Sequence, residues 1–131
     1  MCDVAWNDEP EWFDFFLTRF DVRAAKRILA ARKDAKIAQM PVASAAGWIG
    51  KPPRDAHDLS CIVVGGVGVD WTRAASDEID LGVPVIFAYT KSGGFLPIDG
   101  WHRIAKAVLT GVEHLPAVAL TKSESKRVRH G

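Results

Sequence analysis

Asp99, Gly100, His102 and Arg103 stand within five consecutive positions, in the run Pro97-Ile98-Asp99-Gly100-Trp101-His102-Arg103. Phe95, Leu96 and Ile98 precede the box as a short apolar strand, and Ile104, Ala105, Val108 and Leu109 follow it at helical spacing. A glycine turn that opens a helix leaves backbone N–H groups unpaired and facing an incoming ligand. His102 and Arg103 add two donors to that first turn, which makes an anion site best suited to phosphate. Asp99 lies just outside, where a carboxylate holds a metal ion or orients a water. Asp99 and His102 are therefore the candidate catalytic groups, and Asp99 is the candidate metal ligand. Plainer readings stand beside this one. A D-G pair is also an ordinary turn, Asp99 is also a common helix cap, and first-turn His and Arg side chains can simply be solvated. Two basic residues at the positive end of a helix are, however, mildly unfavourable without an anion.

The elements around the box must position it. On its helix, His102, Lys106 and Thr110 share a face opposite Ile104 and Val108, and Arg103 lies beside Lys106. That face would line an open pocket. Trp101 would either stack on a base or cover the pocket floor. Lys91-Ser92-Gly93-Gly94 reads as a hairpin turn. The β-branched run within Leu59–Asp70 reads as one strand, central or carrying a glycine bulge, and Trp71–Ile79 reads as a short helix. Gly65, Gly66 and Gly68 do not make a dinucleotide fingerprint, because Val69, Asp70 and Trp71 follow where a helix should open. Asp70, Asp77 and Glu78 would join Asp99 in a metal cluster only if that strand ends beside the box.

The first 50 residues read as helical. Asp8-Glu9-Pro10-Glu11 resembles a capping box with proline in the first turn, which predicts a helix from Glu9 to Arg19 with Trp12, Phe13, Phe16 and Phe20 as its apolar stripe. Asp21 caps a second helix from Val22 to about Ile37. Its apolar face is Val22, Ala25, Ile28 and Leu29, with Arg23, Lys26, Arg27 and Lys33 largely elsewhere. Met40–Ile49 predicts a short helix, and Gly50-Lys51-Pro52-Pro53 a loop.

The run from Phe87 to Leu120 resembles the ParB/sulfiredoxin-like superfamily. That pattern is strand, turn, strand, glycine-containing box, helix, glycine and a further strand. Here these are Val85–Tyr89, Lys91–Gly94, Phe95–Ile98, Gly100–Arg103, Ile104–Thr110, Gly111 and Ala117–Leu120 after Leu115-Pro116. The sulfiredoxin box reads G-G-C-H-R and the ParB box G-E-R-R, and several small-molecule kinases of this fold resemble D-G-H-x-R. Gly100, His102 and Arg103 match the first of these, and Asp99-Gly100 the last. Trp101 stands where sulfiredoxins carry their catalytic cysteine, so sulfinic acid reduction is not expected. Trp101 and His102 also replace the ParB glutamate and first arginine, which weighs against a CTP-gated clamp. The resemblance implies nucleotide binding by Gly100, Trp101, His102, Arg103 and Lys106. By position it adds Thr72, Arg73 and Ser76 from the preceding helix. It further implies ATP, or another nucleotide, with Mg²⁺. Proteins that resemble this fold include ATPases, DNases, a free-serine kinase and plasmid-encoded factors that suppress DNA transfer.

Composition sets the remaining bounds. The 131 residues carry a net charge of +1, typical of a soluble globular domain rather than of a chain whose overall field draws nucleic acid. The charge is unevenly spread. Residues 1–18 hold five acids and no Lys or Arg, residues 19–36 hold seven Lys/Arg against two acids, and the stretch from Lys122 is basic again. Arg23, Lys26, Arg27, Lys126, Arg127 and Arg129 are the candidate contacts to DNA or a nucleoprotein complex. Cys2 and Cys61 have no Cys/His cluster beside them, which argues against zinc and against a disulfide framework. The acidic, aromatic N-terminus does not read as a secretory signal, and no apolar run reaches membrane-spanning length, so the cytoplasm is the expected location. No helix pair suited to reading DNA sequence is visible. The expectation is an α+β fold: a helical extension over residues 1–50, a nucleotide-binding mixed-sheet core over 51–122 and a basic tail over 123–131. Its expected function is binding and hydrolysis of ATP, with DNA cleavage, inhibition of plasmid transfer or small-molecule phosphorylation as finer possibilities. The alternative is a non-catalytic module that binds nucleic acid or protein.

Overall fold

The computed structural model describes residues 12–15, 18–32, 36–46, 62–64, 67–69 and 74–130. Along the chain run β1 (Trp12–Phe15), β2 (Thr18–Asp21), α1 (Val22–Ala31), β3 (Ala38–Pro41), α2 (Ala43–Ala46), β4 (Ile62–Val64) and β5 (Val67–Val69). Then come β6 (Val85–Tyr89), β7 (Phe95–Asp99), α3 (Trp101–Thr110), β8 (His114–Ala119), α4 (Lys122–Val128) and β9 (Arg129–His130). The fold is α+β, as expected.

The centre is a four-stranded mixed sheet in the order β3-β8-β6-β7. β6 and β8 are parallel, while β3 pairs with β8 and β7 with β6 antiparallel. The turn between β6 and β7 is the expected hairpin: Gly93 takes φ +91°, and the Thr90 N–H donates to the Gly94 carbonyl at 2.8 Å. Positive φ is costly for any residue with a Cβ, hence glycine at this turn. α3 then carries the chain across β6 to β8, ending at Gly111 with φ +76°, a left-handed glycine stop.

Both faces of the sheet are covered. Val85, Leu115 and Ala117 pack with Trp101, Ile104 and Ala105 on the side of α3. Ile86, Ala88, Leu96 and Val118 pack with Phe20 and Leu29 on the side of α1 and the N-terminal strands. Burial on both faces explains why Val85-Ile86 and Val118-Ala117 are apolar without alternation.

The N-terminal region departs from the sequence reading. Within the expected helix over Glu9–Arg19, the described residues form an antiparallel pair of strands, with Phe13 opposite Phe20 and Asp14 opposite Arg19, while the expected cap at Glu9–Glu11 and the stripe residue Phe16 lie outside the described residues. Phe20 is buried while Trp12, Asp14 and Arg19 are exposed, which is the two-residue alternation of a strand. Aromatic residues favour strands, and β9 supplies a further partner to β2 at Phe20–Arg129. The stretch expected as a basic tail is thus a helix followed by a strand. α1 begins where expected, with the Asp21 carboxylate accepting the Ala24 N–H at 3.0 Å, but stops at Ala31 instead of reaching Ile37. The short helix expected within Met40–Ile49 is present as α2 (Ala43–Ala46), but Met40 and Pro41 before it belong to β3, an edge of the central sheet. The single strand expected within Leu59–Asp70 is a pair, β4 and β5, antiparallel to each other in a separate sheet. Of the helix expected over Trp71–Ile79, only Ala74 and Ala75 are helical among the described residues, and turns follow.

α4 packs against α1 and β6. Thr121 and Glu124 form a reciprocal capping box, and Glu124 also pairs with Arg32 at the end of α1. Fully buried Ser125 accepts the Tyr89 N–H through its Oγ at 2.9 Å. Ser125→Ala removes that acceptor and leaves the donor unsatisfied. The unfolding free energy should fall by about 1–3 kcal/mol, seen as a lower urea midpoint with the slope unchanged. An unmoved midpoint would show that the N–H finds water instead.

Candidate functional site at the β7–α3 turn

β7 delivers Asp99 to the edge of the sheet, Gly100 turns the chain, and α3 begins at Trp101. Gly100 sits in the left-handed region (φ 101°, ψ 14°) and caps α3 without any side-chain hydrogen bond. The first helical bond runs from the Ile104 N–H to the Gly100 carbonyl at 3.0 Å. Gly100 itself therefore brings no side-chain oxygen to the first amides of α3.

The polar groups of the box turn toward one another. Arg103 Nη2 donates to Asp99 Oδ2 at 2.9 Å, and Lys26 Nζ reaches the same oxygen at 4.0 Å from α1. Arg103 lies directly over Gly100: a Cβ there would stand 2.9 Å from Nη2 and 3.0 Å from Val85 Cγ2. Glycine is required on both counts, for the backbone angle and for the space. Arg103 Nε is buried without a hydrogen-bond partner. His102 is half-buried on the first turn.

Other expected site residues are placed differently. Trp101 is only 6% exposed, and its ring stacks on Phe13 of β1 with centroids 6.1 Å apart. It is a core residue covered on one face, which removes it as a platform for a base. Lys106 does not line an open pocket. Its Nζ donates to the carbonyls of Ser76 at 3.0 Å and Ile79 at 2.9 Å, so it ties the 76–79 turn to α3. Ser76 is therefore near α3 through its backbone. The Thr110 hydroxyl donates to the Lys106 carbonyl within the helix. Thr72, Arg73 and Asp70 lie outside the described residues, and Asp77 and Glu78 are exposed. Among the described residues no three His, Cys, Asp or Glu side chains gather as a metal site.

The basic residues divide. Lys26 is buried against the box rather than presented to solvent, and Arg129 donates to the Tyr89 carbonyl at 2.9 Å. Arg23 is half-buried. Arg27 and Arg127 meet across a cleft of about 450 Å³ between α1 and α4, lined also by Ile28, Ala31, Arg32 and Glu124. Lys126 is exposed on α4. Among the described residues no helix is long and apolar enough to cross a membrane.

Two features escaped the sequence reading. Lys26 falls four residues after Val22 and three before Leu29, so helical spacing alone puts it on the buried face. Phe13 as the cover of Trp101 had no such signal, because it depends on the hairpin. No protein-family model matches this chain, and the curated proteins and solved structures likewise give no match.

Proposed function

We propose that the protein binds a phosphate-bearing nucleotide, ATP first among them, at the β7–α3 turn and hydrolyses it. One observation carries this reading: α3 opens on a left-handed glycine without a side-chain cap, and a guanidinium lies directly over that glycine. The positive end of a helix and an arginine repel each other mildly, and a phosphate relieves both at once. Arg103 is the phosphate clamp, already oriented by Asp99. His102 adds a donor from the first turn. Asp99, part-exposed, is also placed to give Mg²⁺ a single carboxylate, which suits an ion bound mainly by phosphates and water. With Mg²⁺ bound, charge developing on the transferred phosphoryl group would be neutralised. Trp101 supports the turn from below.

Titration calorimetry with ATP, CTP and ADP in Mg²⁺ tests the reading on wild type and Arg103→Ala. Wild type should bind at least one nucleotide, and the variant should bind it at least tenfold more weakly, as for loss of one charge-assisted contact of roughly 1.5–3 kcal/mol. Phosphate release by wild type then separates hydrolysis from binding alone. If no nucleotide binds, or if Arg103→Ala binds equally well while folded, the box has no such role.

A further inference from the structure

The β6–β7 hairpin carries a second chemistry, separate from the box. Phe87 and Tyr89 alternate along β6 on one face, and Phe95 stands opposite Tyr89 on β7. The rings of Phe87 and Phe95 stack at 4.8 Å with planes 18° apart, and the Tyr89 ring lies 4.8 Å from Phe95, tilted by 50°. Next to Phe95, Leu96 is buried in the core, but Phe95 itself is 49% exposed. Three rings therefore form a contiguous aromatic surface with its central member open to solvent.

The surroundings are basic. Lys122 Nζ lies 5.6 Å above the Tyr89 ring, a cation–π contact. Lys91 is exposed at the hairpin tip, and Lys126 is exposed one turn after Lys122 on α4. From Pro84 to Ile98 the chain has no acidic residue. An apolar protein partner would gain nothing from this ring of lysines, whereas a polyanion with flat faces uses both parts.

We infer that the Phe87–Tyr89–Phe95 face binds single-stranded nucleic acid. One or two bases stack on Phe95 and Tyr89 while Lys122, Lys126 and Lys91 meet the phosphates. Ring stacking is tolerant of sequence, because every base has a flat face, and it requires unpaired bases. A duplex hides its faces and has no such access. The inference does not depend on nucleotide binding at the box.

Fluorescence anisotropy with a labelled twelve-nucleotide oligodeoxythymidine, at two salt concentrations, tests it on wild type, Phe95→Ala, Lys122→Gln and Arg103→Ala. Wild type should bind the single strand and bind a duplex of equal length more weakly. Phe95→Ala should weaken binding roughly 5- to 100-fold, as expected for one lost stacked base. Lys122→Gln should flatten the salt dependence by somewhat under one unit of the log–log slope. Arg103→Ala should bind the oligonucleotide as wild type does, which keeps this result apart from the box. Absence of binding in wild type, equal binding by Phe95→Ala, or preference for duplex would each overturn the inference. So would a shift from dimer to monomer in Phe95→Ala by light scattering without an effect on oligonucleotide, which would assign the face to a second copy of the chain.

Discussion

Replacing Phe20 with alanine should lower the unfolding free energy by about 3–5 kcal/mol, a large fraction of what holds a domain of this size together. Phe20 is fully buried, and it belongs at once to the N-terminal strand pair and to the sheet core. Its ring leans on Phe13, 6.3 Å away, and Phe13 in turn covers Trp101. Its backbone pairs with Arg129 of β9. Truncation therefore opens a cavity where three layers meet, and such sites collapse poorly because each wall is fixed by its own element. Urea denaturation measures the loss. Trp12→Ala is the contrast, since Trp12 is exposed on the same strand pair and its loss should cost far less. Equal effects from both variants would mean that Phe20 sits in a site able to close over the gap.

Gly100→Ala is the second large expected effect, and it falls on stability and on binding together. The backbone there (φ 101°) disfavours any side chain by about 1–3 kcal/mol. The new methyl also meets Val85 Cγ2 at 3.0 Å and the Arg103 guanidinium at 2.9 Å. Val85 is buried and yields little, adding about 1 kcal/mol or more, while Arg103 is flexible enough to swing away. That swing breaks its bond to Asp99 and displaces the guanidinium proposed above to hold phosphate. Gly111→Ala isolates the backbone part, because Gly111 has φ +76° and open space around it. The expected order in thermal melts is wild type, then Gly111→Ala, then Gly100→Ala, with nucleotide affinity reduced only in the last. Equal melting temperatures for the two variants would show that the crowding at Gly100 is relieved without consequence.

What the sequence made legible follows from where local signals were unambiguous. β6, its glycine turn, β7, Gly100 and α3 were all readable, because glycines punctuate them and short continuous apolar runs give way to helical spacing of the apolar residues at the box. Asp21 as the cap of α1 was equally plain. Trp12, Phe13 and Phe20 were not, since a short aromatic run suits a helix stripe or a strand face and only a distant partner decides. That partner is β9, whose residues read as a charged tail until β2 is beside them. At the candidate site the residues were legible but most of their alliances were not. The four-residue spacing of Asp99 and Arg103 is itself a local signal for their ion pair, but nothing local says that Lys106 reaches the 76–79 carbonyls or that Lys26 approaches from α1. Side chains of that length choose among partners that only the tertiary arrangement brings within reach.

The pairing of β2 with β9 has a bearing on how the protein is made. β2 leaves the ribosome more than a hundred residues before the strand it pairs with, β9. A contact of such long sequence separation closes late and slowly, because the loop entropy is spent before the pairing is gained. Until then Phe20 and an open strand edge stay exposed on the nascent chain, a combination prone to association with other chains. Yield of soluble protein should thus depend on synthesis rate and temperature more steeply than the equilibrium stability of the finished fold would suggest.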